Sequence, residues 1–207
     1  MKTKRIILLT VLALVMGTTA SAQDFRFGVK AGVSSNWMPG TVITSFEGIA
    51  FDRVVGNFGF YGGVAGTLDL SDAIIGQAEL LYARKGVSTK SDINRYSRNI
   101  SYIQLPLLFG VKFGGDNGRV MIGPEFGYCI GNDVISDIPD PSSMGSPRPF
   151  NLAIALQVGC FITDNLSVDF KADTGLTRTM QDAIVNGTED KGRNVSINLG
   201  LSWFFGD

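Results

Sequence analysis

The 207-residue sequence has no histidine, only two cysteines, and 18% charged residues against the ~25% of an average soluble domain. Without imidazole there is no Ser-His-Asp or Cys-His nucleophile, no histidine-ligated zinc or haem, and no imidazole general base. Basic and acidic residues nearly cancel, 18 against 19, so there is no nucleic-acid footprint. Past residue 22 no apolar run approaches ~18 residues, which excludes a helical membrane span there. What is present is 44% hydrophobic residues, 14 phenylalanines and 26 glycines, the last well above the usual ~7%. Such a composition suits a membrane if its apolar side chains all face one way.

The N-terminal segment reads as a targeting signal. Lys2, Lys4 and Arg5 precede an apolar stretch from Ile6 to Met16, and Ala20-Ser21-Ala22 closes it in an A-x-A pattern. A membrane anchor needs ~20 apolar residues, about twice what is there. We therefore expect a signal peptide over residues 1–22, cleaved after Ala22, and one domain over residues 23–207. No cysteine stands at that junction to carry a lipid anchor. Cleavage removes three basic residues, leaving 15 basic against 19 acidic and a net charge of −4.

Hydrophobicity in the rest of the chain alternates with period two, the mark of strands with one apolar face. Between Tyr102 and Phe113, residues Ile103, Leu105, Leu107, Phe109, Val111 and Phe113 oppose Gln104, Pro106, Gly110 and Lys112. Near the end Val195, Ile197, Leu199, Leu201, Trp203 and Phe205 oppose Ser196, Asn198, Gly200 and Ser202. Six further segments, starting near Phe25, Phe58, Ile74, Arg119, Asn151 and Leu166, behave likewise, for eight strands in all.

Their connections alternate in length. Long ones span Trp37–Gly56, Gly86–Ser101, Gly131–Pro149 and Thr177–Asn194; short ones, Ser71–Ala73, Gly114–Gly118 and Thr163–Asn165, carry turn residues. An even number of antiparallel strands, short turns at one end and long loops at the other describes an eight-stranded transmembrane β-barrel of a Gram-negative outer membrane. Closure removes the sheet edges that lipid leaves unsatisfied. The competing architecture is a soluble barrel with its apolar face inward. Three features favour the membrane form: a uniformly large apolar face, loops segregated to one end, and aromatic residues near strand ends. Trp37, Tyr82, Tyr102 and Tyr128 would belt the outer rim, and Trp203, Phe25, Phe113 and Phe205 the inner one.

Several stretches resemble the PorT-like outer-membrane β-barrel domain family. They are Phe27-Gly28-Val29-Lys30-Ala31-Gly32-Val33, Ala78 to Gly86, Tyr102 to Leu108, Gly123-Pro124-Glu125-Phe126-Gly127 and Asn198 to Phe205. The resemblance covers residues 23–207 and implies a small barrel of the OmpA and OmpX kind. It also implies help from the barrel-assembly machinery, for which an aromatic-ended last strand is the signal; here Gly206 and Asp207 follow Phe205. Some family members serve a secretion and gliding apparatus. The small outer-membrane enzymes of similar build rely on histidine, so no enzymatic activity and no cofactor are expected.

The polar face gives the candidate site. Arg26, Lys30, Lys85, Lys112, Arg119 and Lys171 lie on it with Asp69, Glu79, Glu125, Asp169 and Asp173. An ion-selective pore would carry a ring of one sign. Mixed charges in the narrow lumen of eight strands read as a paired network that plugs the barrel. Function then falls to the outer loops, which would meet surrounding lipid and a protein partner; the alternative is a small solute pore.

Four smaller expectations complete the reading. Pro106 and Pro124 sit within strands at nearly equal heights and should cause a bulge or locally unpaired carbonyls. Cys129 and Cys160 fall at opposite strand ends with opposite parity, against a disulfide. Asn132, Asp133, Asp137 and Asp140 form an acidic outer loop better read as solvated than as a calcium site. Arg84, Lys90, Arg95 and Arg98 could reach lipid phosphates.

Overall fold

Eight long strands form in the computed structural model, each where the alternation places one. They are β1 (Phe25–Trp37), β2 (Arg53–Asp69), β3 (Ile74–Lys90), β4 (Arg95–Phe113), β5 (Gly118–Ser136), β6 (Phe150–Phe161), β7 (Leu166–Gly175) and β8 (Val195–Phe205). The structure describes residues 25–39, 45–46, 49–50, 53–90, 95–115, 117–136, 146–181, 184–185, 188–189 and 192–205. The expected leader, residues 1–22, lies outside them.

Each strand pairs antiparallel with its sequence neighbours, and β1 closes on β8 from Phe27↔Phe205 to Trp37↔Val195. The period of two then sorts the side chains into an outer and an inner face, the inner one also taking Ile75, Leu81, Leu108 and Met121. Phe58, Phe109 and Tyr128 are 83%, 59% and 59% exposed on the outside, while Lys30 and Asp169 are 2% and 0% exposed in the lumen. In water this arrangement would be inside out, since each large apolar side chain left exposed forgoes ~1.5–3 kcal/mol.

Turn chemistry fixes the short connections. Gly114 and Gly115 have φ of 65° and 67°, the left-handed region where a Cβ is costly. The Ser71 hydroxyl accepts from the Ile74 N–H at 3.1 Å, and the Thr163 hydroxyl from the Leu166 N–H at 3.0 Å.

Proline interrupts the wall without bending its register. Pairing of β3 with β4 lapses between Ala78↔Leu107 and Leu81↔Gln104, beside Pro106. Pairing of β4 with β5 lapses between Pro106↔Glu125 and Phe109↔Ile122, beside Pro124. Carbonyls there lack the N–H that proline cannot supply. The bulges lie elsewhere, between Gly56 and Phe60 and between Ser101 and Tyr102.

Three connections are shorter than the sequence suggests, since β2 already begins at Arg53, β5 runs on to Ser136 and the link between β3 and β4 shrinks. β3 and β4 stay paired out to Lys90↔Arg95, so most of the expected Gly86–Ser101 loop is sheet. The structure thus raises β2–β5 above β1 and β6–β8. Among the described residues, Gly131–Ser136 pairs on its β4 side alone.

Candidate functional site in the barrel lumen

Inward positions two residues apart on one strand bring the charges together. On β7, Ser167, Asp169, Lys171 and Asp173 all point into the lumen. Asp169 lies opposite Gly159 on β6 and Gly200 on β8, and the missing side chains leave its carboxylate room. A Cβ at Gly159 would overlap that carboxylate and the Arg119 guanidinium.

Two layers of charge result. In the first, Lys30 Nζ lies 2.6 Å from Glu79 Oε1, 2.8 Å from Gln157 Oε1 and 3.6 Å from Asp169 Oδ2. Arg119 Nη2 donates to Asp169 Oδ1 and Ser167 Oγ, both at 2.8 Å, while Ser202 donates to the other Asp169 oxygen. In the second layer Glu125 receives Lys171 at 2.7 Å and Lys85 at 3.3 Å. Lys85 also bonds Asp173 at 2.7 Å, and Asn198 Nδ2 donates to that carboxylate at 2.8 Å. Towards the short-turn end Lys112 meets Asp69 at 3.1 Å. All five acidic residues and five of the six cations are therefore ion-paired.

Arg26 behaves differently. Its guanidinium stands 4.6 Å from the Phe161 ring centroid, and that of Arg119 4.7 Å from the same ring. Phe161 and Phe204 pack together at 5.8 Å and narrow that mouth of the barrel. Neither ring was singled out in the sequence, although both continue the inward parity of Gly159 and Ser202. Gln77, Gln104, Gln157 and Asn198 were likewise legible as inward but not as bonding partners.

At the long-loop end the lumen closes under an apolar cluster of Met38, Ile100, Tyr102 and Met180, with Cys129 packed against it. Tyr102 is only 2% exposed, so it does not belong to the outer aromatic belt expected of it. It carries inward parity, and its hydroxyl accepts from Asn194 at 3.5 Å. Arg98 is also buried and donates to Met180 Sδ at 3.1 Å, which turns it away from lipid. Arg84 pairs with Asp133 at 3.1 Å. Cys129 and Cys160 are free thiols, Cys160 on the exposed side. Among the described residues no three acidic or sulfur side chains converge as a metal site.

A closed eight-stranded barrel, apolar outside and ion-paired inside, is a membrane-spanning architecture. The sequence profile of the family described as outer membrane protein beta-barrel domain matches residues 21–181. The chain belongs to that family. It is an outer-membrane protein; in such barrels the short turns face the periplasm and the longer ends the outside. Among solved structures it resembles Ail of Yersinia pestis, in complex with a heparin analogue, at 10% identity over 88% of this chain and 100% of that one, with a TM-score of 0.47. OprG of Pseudomonas aeruginosa matches at 10% identity over 89% and 97%, TM-score 0.48. Neisserial surface protein A matches at 13% over 86% and 97%, TM-score 0.47. No curated protein sequence is similar enough to count as a relative.

Proposed function

We propose that this outer-membrane barrel is a non-enzymatic structural and interaction protein whose lumen is a plug and whose working surface is its outer end. The observation that carries the reading is the filled lumen. Arg119, Lys30, Lys171, Tyr102 and Phe204 are all but inaccessible, and each acidic side chain inside is already held by a cation. Opening a path would strand buried charges, each at several kcal/mol, about 3–5 for a broken pair.

The taller strands support the interaction role. Among the described residues the β6-facing side of Gly131–Ser136 has no strand partner, and its backbone donors and acceptors suit an extended segment of a partner adding as a further strand. Membership of the PorT-like group, a place in an envelope or secretion assembly, and insertion by the barrel-assembly machinery belong to the same reading.

Purified protein in a planar bilayer tests it. The expected result is no sustained single-channel current; a substantial, reproducible conductance would establish the pore instead.

A further inference from the structure

The wall formed by β6–β8 has a feature that neither the plug nor the taller strands use. Along β7 and just beyond it the outward positions are Leu166, Val168, Phe170, Ala172, Thr174 and Leu176, so two small side chains interrupt a row of large ones. The register sets Ile154 and Leu156 of β6 on one side of them, and Val195 and Ile197 of β8 on the other. An open apolar cleft of about 340 Å³ follows, with Ala172 and Thr174 as its floor.

Its depth is set by strand geometry. Ile154 lies four residues along β6 from Phe150, which pairs with the exposed rim residue Tyr128. At ~3.3 Å per residue and a tilt near 40°, the cleft begins roughly 10 Å below the outer rim, within the outer leaflet.

Arginines stand at its head. Arg148 precedes β6, Arg178 follows β7 and Arg193 precedes β8. Backbone bonds from Arg148 N to Thr179 O, 2.8 Å, and from Thr179 N to Gly192 O, 2.9 Å, hold the three segments side by side. Arg148 and Arg193 are exposed, and Arg148 Nε is anchored on the Met180 carbonyl at 3.2 Å. Arg193 is two residues from Val195 and Arg148 two from Phe150, both on the outward parity of the cleft's walls, so these two cations head the same face.

A guanidinium matches phosphate in geometry and charge, and gains strength near the low-dielectric interface. An apolar recess directly beneath it matches a hydrocarbon chain. We propose that this wall binds one phosphorylated acyl lipid of the outer leaflet, its phosphate on Arg148 and Arg193 and one chain in the cleft. The inference needs only the membrane location and stands whether or not the lumen is a plug.

Native mass spectrometry of the full-length protein refolded in non-ionic detergent tests it, with lipid A and its dephosphorylated form as probes. One lipid A per barrel is expected, with removal of the phosphates weakening binding by about tenfold or more. The Arg148→Gln/Arg193→Gln double variant should lose a similar factor. Thr174→Leu fills the cleft from the lipid side, where barrel packing is not at stake, and should also lose about tenfold while keeping heat-modifiable migration. If that variant fails to fold, Ala172→Leu serves in its place. Equal affinity for the two lipid forms, an undiminished affinity in a folded cleft-filling variant, displacement by inorganic phosphate, or no retained lipid would each overturn the proposal.

Discussion

Replacing Glu125 by glutamine isolates the energetics of the plug. Glu125 is the carboxylate that Lys171 contacts, at 2.7 Å, whereas its second partner Lys85 keeps Asp173 at 2.7 Å. The substitution preserves shape but strands one buried ammonium, a loss of about 3–5 kcal/mol. Lys171→Met is the informative contrast, because Glu125 would still hold Lys85 at 3.3 Å. That variant should cost less, roughly 1–2 kcal/mol, and the double variant little more than Lys171→Met alone. The coupling between the two sites should thus nearly equal the Glu125→Gln loss, about 3–4 kcal/mol in favour of the pair. Urea unfolding from lipid vesicles, followed by tryptophan fluorescence, reads these differences, provided the transitions are two-state. Trp37 and Trp203 face outward at opposite rims and so report on both. A Glu125→Gln loss below about 1 kcal/mol, or simple additivity of the single variants, would refute the view of the lumen as a dry, charge-paired core.

A steric test concerns Gly200, where a Cβ would overlap the Tyr61 hydroxyl inside the barrel. Gly200→Val should destabilise by about 1–3 kcal/mol, and Tyr61→Ala on that background should recover part of the loss in the same unfolding assay. The leader gives the second: N-terminal sequencing of protein extracted from outer membranes should begin at Gln23, and an intact Lys2 in that fraction would contradict cleavage after Ala22.

Facing was legible in the sequence because a strand has only two sides. Once Ile103, Leu105 and Phe109 were outward, Gln104 and Lys112 had to be inward, and β4 obeys this along its membrane-spanning length. Which strand lay beside which followed from the connection lengths. Partner choice within the lumen did not follow. Lys30 on β1 meets Glu79 on β3 and Asp169 on β7, contacts across the barrel that depend on tilt and stagger rather than on local pattern. Tyr102 exposes a different weakness. Aromatic character near a strand end suggested the rim, but its parity pointed inward, and burial against Met38 and Met180 followed parity. The expected Gly86–Ser101 loop erred for a related reason. Its Ser, Thr and Asn content reads as loop, yet outside the membrane a sheet needs no apolar face to stay paired.

The unequal height of the wall gives the two proposed surfaces separate addresses. β2–β5 project a sheet, and Gly131–Ser136 on its flank is paired on the β4 side alone among the described residues. β6–β8 end lower, and Arg148 and Arg193 precede β6 and β8 on the outward parity of the walls of the apolar cleft. A partner strand needs backbone donors and acceptors clear of lipid headgroups, so it requires the tall side. An acyl lipid needs its phosphate at headgroup level and its chain below, so it requires the short side. The charge layers stand between the two and are tied through Lys30, Glu125 and Lys171 to strands on both. A proline at Ile135 should therefore weaken capture of a protein partner and leave lipid A retention unchanged, while Thr174→Leu should do the reverse. Loss of both activities in either folded variant would mean that one surface, not two, occupies the outer end.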